Sequence, residues 1–201
     1  MVRSRTPAAL GFRAHSGWAA AVAVAGTPRA PEILERRRIE IADSSISGSK
    51  QPYHAAEELP FEKAKKLLER CERGSMRLAR KAVGALLEDL RARGFAVAGC
   101  GLLLASGRSL PGLESILASH ALIHTADGEH FRDALAQAGK YHRLSFRRVK
   151  ERELYAQAAA RFRASSEELK SRINAMGKGL GPPWTQDQKL AALVAWLALA
   201  D

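Results

Sequence analysis

Apolar residues along this chain gather in short runs that alternate with longer charged and polar segments. The first run, residues 10–25, is rich in Ala and Val, and the second, residues 95–105, is also mostly apolar. Runs of this kind are typical of strands buried on both faces of a sheet. Residues 33–42 alternate instead, with Ile33, Ile39 and Ile41 on one face. That pattern predicts a half-exposed strand, paired antiparallel with the first.

The segment after Pro60 has apolar residues three and four positions apart, which is the spacing of one helix face. We predict a long helix over residues 61–93, because Pro60 favours a helix start and Gly94 a helix stop. The apolar stripe of this helix comprises Phe61, Ala64, Leu68, Cys71, Leu78, Ala82 and Leu86.

The segments that follow continue the alternation of strands and helices. Residues 113–138 have helical spacing with a break expected at Asp127-Gly128, residues 144–149 form a strand, and residues 151–162 form another helix. Strands that alternate with helices predict an α/β fold. We expect three layers: a mixed sheet, made of an N-terminal antiparallel hairpin and then parallel strands, with helices on its flanks.

Two capping boxes predict the last helices. Ser165 with Glu168, and Thr185 with Gln188, have the Ser/Thr-x-x-Glu/Gln spacing in which side chain and backbone bond reciprocally at a helix start. The final helix, residues 186–200, is apolar all round, which predicts that it is buried.

The length of 201 residues is that of one ordinary domain, and we expect a single domain over residues 1–201. Residues 1–9 are predicted to be a frayed arm, residues 43–52 a mobile loop and residues 177–183 a rigid link to the last helix.

The charge balance points to a polyanionic partner. Lys and Arg number 32 and Asp and Glu 21, a net charge of +11, which suits nucleic acid; a general preference for Arg in a GC-rich genome is the alternative. Cys71 and Cys100 lie in apolar patterns typical of buried thiols, which predicts a reducing, cytoplasmic location. The alternative is a secretory signal, since Arg3 and Arg5 precede the first apolar run. No run is long enough to span a bilayer, so no membrane association is expected.

Five basic residues follow the polar face of the long helix at spacings of three and four. A ridge of this kind could lie along a phosphate backbone, or it could be an ordinary solvated face, because glutamates are interspersed. The predicted nucleic-acid-binding residues are Lys66, Arg70, Arg73, Arg77 and Arg80.

A histidine cluster offers a metal site as an alternative function. His120 and His124 share a helix face and Asp127 is nearly one turn further on, a ligand set that suits zinc or iron. The spacing lacks the Glu that follows the first His in zincins. His54, followed by Glu57 and Glu58, is a second segment that could supply a base or a ligand.

The order of elements resembles the ribonuclease H-like superfamily, and within it the RuvC-type Holliday junction resolvases. Gly11-Phe12 and Gly17-Trp18 match the family's opening strand, which reads Gly-Ile-Asp with a Gly-Trp or similar pair further on. Residues 119–150 resemble the family's helix, strand and Val-Lys step. Residues 187–195 resemble its final Asp-x-x-Asp-Ala-Leu-Ala helix. The resemblance implies the ribonuclease H-like fold.

The resemblance also implies two-metal phosphodiester hydrolysis, in which three or four carboxylates hold two Mg²⁺ ions. In this chain Arg13 occupies the first acid's place, residues 102–106 contain no acid, and Leu190 stands where the last would be. Asp187 alone matches. An ion pair of Arg13 with Asp187 or Glu129 would mean that the family's metal site has become structural. Convergence of Asp187, Arg13 and the His120 cluster would instead mean a remodelled site.

The sequence therefore favours a non-catalytic nucleic-acid-binding or assembly module with a degenerate metal site and no cofactor. One alternative is a metal-dependent hydrolase or nuclease, using Mg²⁺ or a transition metal at His120, His124 and Asp127. Another is a homodimeric protein-interaction domain that associates through the long helix.

Overall fold

The computed structural model describes residues 5–105, 107 and 109–201. The strands are β1 (Thr6–His15), β2 (Trp18–Thr27), β3 (Ala30–Glu40), β4 (Phe95–Leu104) and β5 (Ser145–Lys150). The helices are α1 (Pro52–Ala56), α2 (Phe61–Ala92), α3 (Leu113–Leu117), α4 (His120–Tyr141), α5 (Leu154–Phe162), α6 (Ser166–Met176) and α7 (Gln186–Leu199). None of these helices combines the length and the apolar content that crossing a bilayer requires.

The described strands form a single mixed sheet in the order β3-β2-β1-β4-β5. Strands β1, β2 and β3 pair antiparallel, whereas β4 pairs parallel with β1 and β5 parallel with β4. The predicted α/β class and mixed sheet are confirmed. The carboxyl ends of β1, β4 and β5 consequently meet at one edge, where open α/β sheets place their ligands.

The prediction of one strand over residues 10–25 is wrong. The run is two strands, β1 and β2, joined by a two-residue turn at Ser16-Gly17, with His15 opposite Trp18. Gly17 has φ of +85°, which favours glycine. Strand β1 also begins at Thr6 and buries Ala8 and Ala9, so residues 6–9 are not a frayed arm. Residues 1–4 of that predicted arm lie outside the described residues.

Ile33 and Ile39 of β3, and Ile41 directly after it, do not share a face. A β-bulge opposite Ala23 and Val24 shifts the register of β3. Ile39 and Ile41 pack into the core that β1 and β4 share with α2 and α4, whereas Ile33 packs into the core on the opposite side, with α7. A bulge adds one residue to one strand, and with a side-chain period of two this exchanges the faces beyond it.

Helices cover both faces of the sheet. The pair α2 and α4 packs on one face, and α5, α6 and α7 pack on the other. The predicted ends of α2 are confirmed within one residue, and both capping boxes are present as predicted. The predicted apolar stripe is confirmed in part: Phe61 is exposed, Leu78 and Ala82 are half-buried, and Ala79 and Val83 are buried in their place. The expected break at Asp127-Gly128 is absent: α4 is continuous there, and the helical segment is interrupted at Ala118-Ser119 instead.

Candidate functional site

An ion-pair network lies at the carboxyl end of β1. The guanidinium of Arg13 donates from Nε and Nη2 to the two carboxylate oxygens of Glu151, both at 3.0 Å, and from Nη1 to Asp187 Oδ1. Nε2 of His15 lies 3.1 Å from that same Asp187 oxygen. Three elements supply the network: β1, the 3-10 turn directly after β5, and the first turn of α7.

Charge-assisted hydrogen bonds hold the network together. Hydrogen bonding to Glu151 raises the pKa of Arg13 above its usual value, and Asp187 adds to the effect, while partial burial opposes it. A planar guanidinium held by two carboxylates is a strong, charge-assisted arrangement. Its side chains are partly shielded, with 23% of Arg13 and 26% of Asp187 exposed. Arg13 therefore fixes the orientation of both acids.

A cleft of about 500 Å³ opens beside this network. It has cationic side chains from β1, α4 and the turn after β5. The residues that line it are Arg13, Ala14, His15, Leu103, Ala105, Arg132, Glu151 and Arg152. Arg132 is ion-paired with Glu129 at 3.1 Å, as Arg13 is with Glu151 and Asp187, so Arg152 is the exposed cation beside the cleft.

The histidine cluster lies elsewhere, between α1 and the first turns of α4. His54, His120 and His124 each offer a ring nitrogen within 4.8 Å of the others. His120 Nε2 and His124 Nε2 are 3.1 Å apart. The cluster shares no residue with the Arg13 network, so these two predicted sites do not merge.

Asp127 has a different place from the one the sequence predicted. Only 4% of its surface is exposed, and it accepts a hydrogen bond from the backbone N–H of Tyr53 at 2.7 Å. Its other oxygen lies 2.5 Å from His54 Nδ1. Asp127 is therefore a hydrogen-bond partner of the cluster, and the third histidine in the group is His54.

His130, one turn after Asp127, faces a separate cleft between α2 and α4. Its Nε2 lies 3.0 Å from the hydroxyl of buried Ser75, and Glu72 and Asp133 line the same cleft. Burial lowers the pKa of His130 to about 4, although the negative charge of Asp127 acts in the opposite direction. His130 is thus neutral in the folded protein near neutral pH.

We expect this histidine to make stability depend on pH. The unfolded chain binds a proton at His130 near pH 6.5, whereas the folded chain does so near pH 4. Acidification between these values therefore favours unfolding, and the contribution lost is about 3 kcal/mol at most. Urea denaturation from pH 7.5 to 4 measures it: the stability of His130→Gln should fall less steeply than wild type. Parallel curves for the two proteins would contradict the prediction.

The predicted basic ridge lies on α2 as expected, but its residues differ in whether they contact another side chain. Lys66, Arg70 and Arg73 are exposed. Arg77 donates to Asp43 at 2.7 Å, and the Arg80 guanidinium lies 4.8 Å from the centre of the Tyr141 ring. Among the described residues, Lys66, Arg70 and Arg73 are therefore the exposed members of the ridge without such a partner.

Two partners were not predicted from the sequence, and Glu129, an alternative partner predicted for Arg13, bonds to Arg132 instead. Glu151 was not identified as a partner of Arg13, although it directly follows a strand whose carboxyl end shares the sheet edge with β1. His54 was noticed only in its own segment. His54 meets His120 because α1 packs against α4, and no spacing in the sequence indicates that contact.

Comparisons with known proteins identify the fold. No protein-family model and no curated protein matches the chain. Among solved structures, RuvC of Thermus thermophilus in complex with a Holliday junction substrate superimposes with a TM-score of 0.53 at 10% identity, over 94% of this chain and 90% of that chain. A second structure of Thermus thermophilus RuvC gives 0.51 at 12% identity, with the same coverage. The chain thus has the ribonuclease H-like fold.

Proposed function

We propose that this protein is a nucleic-acid-binding module of ribonuclease H-like fold in which an arginine ion-pair network replaces a two-metal site. The observation that carries the proposal is the bonding of Arg13 to both Glu151 and Asp187 at the carboxyl end of β1. The two acids that could serve a metal there are both already bonded to a guanidinium of the chain itself, which offsets one of their two negative charges.

A metal pair is disfavoured at this place for electrostatic reasons. Two-metal hydrolysis needs several carboxylates free to bind ions about 4 Å apart. A guanidinium keeps its charge at any physiological pH, so it repels a second cation at the same position. To bind Mg²⁺, the chain would have to break the Arg13 bonds and leave that charge partly buried and unpaired. We therefore propose that the module does not cleave its ligand.

Charge supports nucleic acid as the ligand. The chain has a net charge of +11, and Lys66, Arg70 and Arg73 are exposed along α2. Arg152 is exposed at the cleft beside Arg13. One of the similar structures is that of a complex with a Holliday junction. Branched DNA is accordingly the first ligand to test.

Fluorescence anisotropy with a four-way junction, duplex DNA and single-stranded DNA tests the proposal. We expect binding whose affinity falls steeply as salt rises from 50 to 200 mM, because phosphate contacts release counterions. With Mg²⁺ or Mn²⁺ present, the junction should stay intact. Cleavage that is abolished by Asp187→Asn would overturn the non-catalytic role, and binding insensitive to salt would overturn the nucleic-acid role.

The exposed part of the ridge should contribute to that salt dependence. We expect the triple change Lys66→Gln, Arg70→Gln and Arg73→Gln to reduce the slope of log affinity against log salt. Each lost phosphate contact reduces it by about 0.9, so the full loss is about 2.7. Anisotropy titrations at four salt concentrations measure the slope.

A matched control removes three exposed positive charges from the opposite face of the sheet. On and just after α6, these positions are Lys170, Arg172 and Lys178. Their change to Gln alters the net charge equally but should leave the slope nearly unchanged. Equal effects of the two triple variants would mean that overall charge, and not the α2 ridge, determines binding.

A further inference from the structure

Three histidine rings converge on one point at the surface, between α1 and α4. The ring centres of His54 and His124 are 4.4 Å apart, those of His120 and His124 are 4.6 Å apart, and those of His54 and His120 are 5.3 Å apart. Each pair of rings meets edge to face, at interplanar angles of 68° to 90°. One ring nitrogen of each histidine also lies within 4.8 Å of those of the other two, so the three rings bring nitrogen atoms together.

The nitrogen spacing fits a tetrahedral metal ion. Two imidazole nitrogens at about 2.0–2.1 Å from a tetrahedral centre lie about 3.3 Å apart. His120 Nε2 and His124 Nε2 are 3.1 Å apart. All three histidines can offer nitrogens within 4.8 Å of one another. Small side-chain movements are therefore enough to close the group on an ion.

Asp127 completes the arrangement from behind. It is buried, it is fixed by the backbone N–H of Tyr53, and it lies 2.5 Å from His54 Nδ1. A carboxylate that accepts the Nδ1 proton leaves Nε2 of the ring unprotonated and free to coordinate. Histidine ligands of metals almost always have such a partner, which fixes both ring orientation and tautomer.

We propose that His54, His120 and His124 bind a divalent transition-metal ion of the zinc class, with Asp127 as the carboxylate that orients His54. Neutral imidazoles suit zinc and its neighbours and not Mg²⁺, which prefers oxygen ligands. The fourth position faces solvent, because His120 and His124 are both exposed. A water molecule can occupy it, and Glu57 Oε1, 3.7 Å from His120 Nδ1, lies beside the cluster.

The ion would join two segments that are far apart in the chain, the short helix α1 and the start of α4. It uses none of the residues of the Arg13 network or of the α2 ridge. Metal binding can therefore be tested independently of nucleic-acid binding.

The test uses the full chain without a polyhistidine tag, stripped of metal and titrated with Zn²⁺ in a calorimeter. We expect one ion per chain. Titration with Co²⁺ should give the intense visible absorption of a tetrahedral site rather than the weak bands of an octahedral one. Bound Zn²⁺ should also raise Tm, because it binds the folded state alone.

Variants separate the ligands from their orienting partner. His120→Ala and His124→Ala change exposed side chains, so circular dichroism should show that the fold is retained while metal binding is lost. Asp127→Asn keeps an acceptor for Tyr53 but presents an amide to His54, and it should weaken affinity about 10- to 100-fold. His142→Gln, a change at a histidine outside the cluster, is the control and should bind like wild type.

The outcomes are decisive in both directions. One-to-one binding that His120→Ala and His124→Ala abolish and His142→Gln preserves establishes the site. Binding no tighter than about 1 mM, or binding that survives both alanine substitutions, overturns it. Octahedral Co²⁺ spectra would overturn the tetrahedral geometry.

Discussion

Gly11→Ala should destabilise the protein by about 4 kcal/mol or more, an exceptional size for one substitution that overpacking of a core can reach. A β-carbon at Gly11 would lie 1.9 Å from the backbone oxygen of Ala191 and 2.8 Å from the backbone nitrogen of Ala195. Both atoms belong to α7, whose residues from Leu190 to Leu197 are buried. Backbone atoms of a packed helix cannot rotate away as a side chain can, so α7 must move off the sheet.

Chemical denaturation of Gly11→Ala against wild type measures this effect, and loss of soluble expression would be its extreme form. Gly179→Ala is the control: nothing lies within 4 Å of its added β-carbon, so its stability should stay within about 0.5 kcal/mol. A β-carbon added at Gly101 would likewise lie 2.3 Å from the backbone oxygen of Val194, also in α7. A Gly11→Ala protein as stable as the control would show that α7 does not approach β1 this closely.

Arg13→Asp should destabilise the protein by about 2 kcal/mol and make its stability depend on Mg²⁺. The change removes the cation and adds a third carboxylate next to Asp187 and Glu151, so repulsion replaces attraction. The expected loss of stability is smaller than for a fully buried ion pair, because the Glu151 side chain is 41% exposed and water screens its charge. Three carboxylate groups are, however, the ligands that Mg²⁺ prefers.

Thermal and urea denaturation with and without Mg²⁺ test this prediction. If the remodelled site binds Mg²⁺, a concentration ten times Kd restores about 1.4 kcal/mol. Wild type should not respond. The control is Arg29→Asp, which makes the same change of charge in the exposed turn between β2 and β3. If Mg²⁺ stabilises Arg29→Asp equally, or leaves Arg13→Asp unaffected, then these acids do not form a latent metal site.

Local sequence signals were sufficient for many elements of this fold. The ends of α2, the strand β4 and the two capping boxes at Ser165 and Thr185 follow from spacing and chain-end chemistry within a few residues. The burial of α7 followed from its being apolar all round. Such features depend on neighbours in the chain, so one sequence contains the information they need.

The hairpin of β1 and β2 is a feature that local sequence signals did not predict. A continuous apolar run has the same composition whether it is one long strand or two buried strands with a turn. The Ser16-Gly17 turn could have been suspected, because strands seldom exceed about ten residues. The bulge that sends Ile33 to the opposite core from Ile39 has no comparable signal. It arises from pairing between strands.

The candidate sites divide in the same way. The residue types were visible in the sequence: an arginine where the resemblance implies an acid, a basic face on α2, and histidines four apart. Their partners were not. Glu151 is 138 positions from Arg13 and reaches it because β1 and β5 both flank β4.

The sequence by itself determined the class of fold, the long amphipathic helix, the excess of positive charge and the absence of an acid at residue 13. Tertiary structure alone decided that Arg13 is bonded to Glu151 and Asp187, and that His54 joins His120 and His124 while Asp127 lies behind them. The physical reason is the distance along the chain over which sequence patterns are informative. Helical and strand periodicity describes neighbours within about one turn, whereas a site is built where distant segments pack together.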